Sequence, residues 1–261
     1  MSATAEAPRV EVSQKRVRTM FGGETIADTT RAQLVWEVPY YPAYYLPRDD
    51  VCGEFIMPNG RTRSSPYGLG AAELFDVVAG GRSASDAAWC HVEPPVAVLR
   101  GLIRFEWNAM DRWLEEDEEV IVHPRSPYTR VDVLPSSRHI EVVIDEVKLA
   151  DTHRAMALHE TGRPVRWYLP RADIRMDLLT PTPTRTGCPY KGWATYWSVD
   201  TGKLSVDVAW SYPRPLPESA RIADLICIWD HNVETIIDGI TDAIPPWGGR
   251  LMEVPSAMST V

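Results

Sequence analysis

The sequence predicts a mainly β protein made of two tandem antiparallel domains with short helices, and three observations carry that expectation. The 261-residue chain repeats itself at a spacing of 123 residues. Its apolar residues fall in short runs bounded by turn residues, as half-buried strands require. Its 22 prolines leave little room for long helices.

The repeat is read by sliding the chain over itself. Ala27-Asp28-Thr29 meets Ala150-Asp151-Thr152, Arg31-Ala32 meets Arg154-Ala155, and Pro66-Tyr67 meets Pro189-Tyr190. Tyr45-Leu46-Pro47-Arg48-x-Asp50 meets Tyr168-Leu169-Pro170-Arg171-x-Asp173. With a two-residue slip Ala88-Trp89 meets Ala209-Trp210, and Leu102-Ile103 meets Leu225-Ile226 at the original spacing. Ordered matches over a hundred positions mark a duplication. The expected layout is a first repeat over 12–119, a linker over 120–137, a second repeat over 138–240 and a C-terminal tail over 241–261. The linker is drawn from Pro124, Pro127 and Pro135. In the tail, Trp247, Leu251 and Met252 suggest docking on the body.

Each copy opens with a hairpin. Val17–Phe21 and Glu24–Asp28 flank Gly22-Gly23, a pair that accepts positive φ at both positions. In the second copy Ile140–Ile144 and Val147–Asp151 flank Asp145-Glu146, a weaker form of the same signal. Further strands are expected at Ala43–Leu46, Ala72–Val78 and Leu102–Trp107, with partners at Arg166–Leu169, Ala194–Val199 and Leu225–Trp229. The best helical stretches are Ala109–Glu116 and Glu218–Ala223.

Composition narrows the partners. A net charge of −9, with Asp and Glu at 36 against Lys and Arg at 27, repels a phosphate backbone, and Arg61 with Arg63 is too short a cluster to reverse it. Nucleic acid is not an expected partner. The four cysteines (Cys52, Cys90, Cys188, Cys227) contain no Cys-x-x-Cys pair, so neither a zinc ribbon nor a disulfide framework is expected. Residues 1–15 hold no apolar run, and the longest one, Val96–Ile103, is broken by Arg100. The expectation is a cytoplasmic, reduced protein without membrane contact, either a monomer arranged as an internal pseudo-dimer or a homodimer.

Candidate chemistry gathers in the second copy. Cys188, Tyr190 and Lys191 lie within four residues around Pro189. Lys191 is suited to bind a carboxylate or polarise a carbonyl and Tyr190 to donate a proton. Cys188 is either a thiol activated by the nearby ammonium or a small buried hydrophobe. In an extended segment Cys188 and Tyr190 share a face and Lys191 points away, unless the turn at Gly192 rotates it. Asp173 either orients a hydroxyl, pairs with Lys191, or caps its own turn. Trp210 and Tyr212 have the same strand parity and either stack on a planar ligand or close the core. Tyr168 completes the expected pocket. The first copy has Ser65 for Cys188 and Gly68 for Lys191, so the single site is expected in the second domain. His159-Glu160 lacks the second His of a zincin, and no Gly-x-Ser-x-Gly, P-loop or Gly-x-Gly-x-x-Gly is present.

Thr186-Gly187-Cys188-Pro189-Tyr190-Lys191-Gly192, between Tyr168-x-Pro170-x-x-Asp173 and Ala209-Trp210-x-Tyr212, resembles the bacterial and fungal family known as domain of unknown function 427, here in tandem form. The resemblance covers both repeats; members often carry His where this chain has Gly187. It implies a β-tent fold, two antiparallel sheets pinned at one edge, similar to methionine sulfoxide reductase B and the Mss4-like proteins. Those relatives usually hold a four-cysteine zinc site, which the cysteines here do not match. The family is also catalogued as nucleotidyltransferase-like, but no Asp-x-Asp pair for a metal-bound triphosphate is present. The expected function is small-molecule binding in a metal-independent, cofactor-free pocket of the second domain, leaning to acid–base catalysis. The alternatives are a non-catalytic ligand- or protein-binding module and a nucleotidyltransferase.

Overall fold

A computed structural model describes residues 8–242, and the chain divides into two compact units, Met1–Ser126 and Pro127–Val261. The expected tail contacts of Trp247, Leu251 and Met252 lie outside the described residues. The first unit holds β1 (Arg9–Val12), β2 (Val17–Phe21), β3 (Glu24–Thr29), β4 (Gln33–Val38), β5 (Tyr41–Pro47), β6 (Ile56–Ser64), β7 (Ala71–Ala79), β8 (Arg82–His91), β9 (Leu102–Phe105), β10 (Arg112–Glu115) and β11 (Glu118–Glu119). The second holds β12 (Val131–Pro135), β13 (Ile140–Ile144), β14 (Val147–Thr152), β15 (Met156–Glu160), β16 (Arg166–Leu169), β17 (Leu179–Cys188), β18 (Gly192–Asp200), β19 (Leu204–Ser211), β20 (Ile226–Ile228), β21 (Val233–Ile237) and β22 (Ile240–Thr241).

Each unit is a seven-stranded sheet facing a four-stranded one. In the first the orders are β1-β4-β5-β9-β8-β7-β6 and β11-β10-β2-β3. In the second they are β12-β15-β16-β20-β19-β18-β17 and β14-β13-β21-β22. Neighbouring strands pair antiparallel throughout. Both units are thus mainly β, as the alternating runs imply.

The hairpin turns adopt the positive φ expected of them: Gly22 (61°) and Gly23 (85°), and Asp145 (46°) and Glu146 (64°). Gly22 has a second reason to be glycine. A Cβ there would stand 2.2 Å from the Ala79 carbonyl oxygen, because the β2–β3 turn packs against the β7–β8 turn and so ties the two sheets together at one end. In the second unit Thr201 hydroxyl donates to Asp145 at 3.0 Å at the matching place.

Two readings are corrected. Ala109–Glu116 is not a helix: Arg112–Glu115 is β10, paired with β2. Trp113, Leu114 and Glu115 are all buried, and Tyr44 donates to Glu115 at 2.5 Å, so tertiary pairing overrides the local helical preference. The expected linker contains β12, whose Pro135 is tolerated because β12 is an edge strand. Pro217–Ile222 forms a short 3-10 helix close to the predicted Glu218–Ala223. Among the described residues no helix is long and apolar enough to cross a membrane.

Strand alternation sends one set of side chains between the sheets. In the second unit these include Leu169, Trp197, Ala209, Ile226 and Ile228, meeting Ile140, Val142 and Leu149 of the smaller sheet. Their sequence neighbours Tyr168, Tyr196, Trp210 and Cys227 project to the opposite face of the large sheet. Val133 of β12 lies on that face, Ile222 packs over it, and both join this second cluster.

Candidate functional site

A cavity of about 490 Å³ opens on this outer face, a size suited to a small organic ligand. Its wall includes Tyr168 of β16, Tyr196 of β18, Trp210 of β19 and Tyr212 just beyond, with Cys188 at the end of β17 and Lys191 in the following turn. Glu160, Arg163, Arg166, Asp207, Trp229 and Asp230 also line it. Five of the seven residues singled out from the sequence therefore share one hollow: Tyr168, Cys188, Lys191, Trp210 and Tyr212.

The turn explains why Lys191 joins Cys188. The Lys191 N–H donates to the Cys188 carbonyl at 3.2 Å, and the Lys191 carbonyl accepts from Leu216 N–H at 3.1 Å. Gly192 follows at φ 99°, where a Cβ would press to 3.2 Å from the Arg214 carbonyl oxygen. The chain reverses too tightly for the extended geometry in which Cys188 and Tyr190 share a face. Lys191 swings into the cavity and Tyr190 does not line it. The Tyr190 carbonyl instead accepts from Ser219 hydroxyl at 3.2 Å, anchoring the segment that covers the sheet.

Asp173 is also elsewhere. It accepts from Thr152 hydroxyl at 2.6 Å and from Arg154 at 2.5 Å, and does not pair with Lys191. Asp50 repeats this with Thr29 (2.5 Å) and Arg31 (2.6 Å) in the first unit. The shared Asp is a clasp on the turn after the strand. The hydrogen bond from Arg154, then that from Thr152, holds the Asp173 carboxyl below its ordinary range.

At the cavity wall Lys191 Nζ meets Glu160 Oε2 at 2.5 Å, with side-chain exposures of 11% and 16%. Burial alone pulls the ammonium down, but the Cys188 sulfur and the Glu160 carboxylate outweigh it and hold Lys191 above its ordinary value. Lys191 is therefore a charged donor at neutral pH, able to hold an oxygen but not to attack as a free amine. Burial raises Tyr168, Tyr196 and Tyr212, which stay protonated. It pushes the Cys227 thiol beneath them up to about 12. Trp210 indole N–H donates to Tyr168 Oη at 3.2 Å, and Arg166 stands 4.2 Å from the Trp229 ring centre.

Glu160, Arg166, Tyr196, Asp207 and Trp229 were missed from the sequence. Glu160 carried a usable signal, since Glu37 stands 123 residues before it in the first copy. Asp207 occupies a bulge at φ 56° and accepts from Thr182 (2.6 Å) and Thr184 (2.7 Å) hydroxyls. Its counterpart Asp86 has φ 54°. Such a bulge is not legible without the pairing register.

Among the described residues, one trio has metal-ligand character: His139, Glu141 and Asp151, on the small sheet away from the cavity. The Lys148 ammonium already bridges Glu141 and Asp151, so the trio's charge is met without an ion.

The architecture and the hollow define a duplicated two-sheet β domain with a polar, aromatic-walled pocket in its second copy. The chain belongs to the family described as a domain of unknown function (DUF427), whose model matches residues 9–116 and again 132–239. The family's short name carries a nucleotidyltransferase label. A search of curated proteins finds no match to the chain.

Proposed function

We propose that the second unit binds a small planar organic molecule with an oxygen acceptor, such as a carbonyl or carboxylate, in the outer-face cavity and without a metal. The observation that carries this is the buried Lys191–Glu160 pair set in an aromatic-walled hollow of about 490 Å³. Tyr196, Trp210 and Trp229 offer stacking surfaces to a flat ring, while Lys191 holds its oxygen. Two carboxylates of the wall support metal independence, because Glu160 is engaged by Lys191 and Asp207 by two threonines.

Turnover, on this reading, is acid–base chemistry with Lys191 polarising a carbonyl and Cys188 beside it on the same wall. A second reading, binding without catalysis, draws on the elevated phenols. Tyr168 and Tyr212 hold their protons firmly near neutral pH, so they are equipped to donate hydrogen bonds to a ligand and not to transfer protons.

The test is native mass spectrometry of the purified chain, followed by small-molecule identification. One retained molecule per chain is expected, and it should be lost from the Glu160→Gln/Lys191→Met double variant. Retention of the same molecule at undiminished occupancy by that variant overturns the proposal. A heat signal with nucleoside triphosphate and magnesium would move the assignment to nucleotidyl transfer.

A further inference from the structure

The matching face of the first unit carries charged machinery of its own. Glu37 of β4 occupies the repeat position of Glu160, and Tyr45, Trp89 and His91 those of Tyr168, Trp210 and Tyr212. The cation has changed place. Strand pairing sets Leu69 opposite Lys191, because Gly70 and Gly192 follow the same register, and sets Arg104 opposite Cys227. Leu69 is fully buried, and Arg104 pairs with Glu37 at 2.9 Å. Tyr45 donates to Glu37 at 2.5 Å and meets His91 Nε2 at 3.2 Å.

Two guanidinium groups reach the Trp89 indole. Arg104 comes from adjacent β9, at 4.4 Å from the ring centre, and Arg63 from β6, two strands the other way, at 3.6 Å. Arg104 is answered by Glu37, whereas Arg63 makes no ion pair or side-chain hydrogen bond among the described residues. His91 is 3% exposed with its Nδ1 unpartnered, and Arg104 Nε is likewise buried without a partner. Orphaned polar atoms in a buried charged cluster are uncommon where stability is the sole purpose.

We propose that this face of the first unit is a second ligand site, in which Arg63, stacked on Trp89, grips a small monocarboxylate through its unpaired N–H donors. An arginine fork matches a carboxylate in two parallel hydrogen bonds. Charge bookkeeping selects a single negative charge: Glu37 answers Arg104, which leaves Arg63 as the one cation of the two to meet an added anion.

Calorimetric titration of the full chain carrying Glu160→Gln/Lys191→Met, which takes the second unit's cavity out of the measurement, with benzoate and with phenyl phosphate tests this. Benzoate is expected to bind at a Kd of about a millimolar. Arg63→Gln should weaken it at least about tenfold, while Arg175→Gln, at an exposed arginine of the second unit outside its cavity, leaves that affinity unchanged. Arg63 is exposed, so the variant should melt with the parent, and a circular dichroism melt checks it. Unchanged benzoate affinity in Arg63→Gln, no benzoate heat up to about 10 mM, or phenyl phosphate binding as tightly as benzoate each overturns the proposal.

Discussion

Replacing Lys191 by Met removes one half of the Lys191–Glu160 pair and leaves a carboxylate that is only 16% exposed without its ammonium. Breaking a buried pair from one side costs about 3 kcal/mol, since the remaining charge keeps its desolvation penalty. A unit of this size loses roughly 4 °C per kcal/mol, so a fall of about 12 °C is expected in the second unit's transition by calorimetry at pH 7. Adding Glu160→Gln removes the stranded charge and should restore the melt to within about 1 kcal/mol of the parent. The sign of the pH dependence follows from the raised Lys191. The pair's contribution is complete below pH 10.5, the ordinary value of a lysine, and is lost as pH climbs through the higher folded value. The reasoning is refuted if Lys191→Met costs under about 1 kcal/mol, or if the double variant is no more stable than the single one.

Alkaline titration gives another expectation. Cys227 is fully buried with its thiol raised from 9.0 to about 12, so the folded state holds a proton that the unfolded state releases from pH 9 upward. Cys227's share of the fall in urea stability near pH 10.5 should be about 2 kcal/mol, on top of what the raised tyrosines contribute, and Cys227→Ala should remove that share. A parent-like alkaline slope in the variant would contradict it. Asp173→Ala should cost about 1 kcal/mol, chiefly the lost Thr152 and Arg154 bonds, with ligand retention by mass spectrometry unaffected; loss of the ligand would return Asp173 to the site. Gly192→Ala, which forces a Cβ into a positive-φ position, should destabilise by about 1–2 kcal/mol and lower ligand occupancy. A variant that melts and binds like the parent would show that the turn does not position Lys191.

The duplication and the paired hairpins were legible because they are local: Gly22-Gly23 and the alternating Ile140–Ile144 announce their geometry within a few residues. The aromatic wall was legible in part through the shared strand parity of Trp210 and Tyr212. Long-range facts were not. β10 was hidden behind a helical pattern, although its counterpart Val233–Ile237 reads plainly as strand, and comparing copies there would have exposed it. Tyr190 was misplaced because a one-residue rotation in a turn decides which neighbour enters a cavity. Glu160 stayed unnoticed because a carboxylate on a strand looks like solvated surface until its partner arrives from a distant turn.

The relocated cation has a consequence for how the gene can change. Glu37 is met by an arginine on one neighbouring strand, and Glu160 by a lysine from a separate turn. Copying a short tract from either half into the other would strand a carboxylate in apolar surroundings or crowd two positive side chains beside it. The two halves are thereby insulated from sequence exchange with each other, and each is held to its own charge pair.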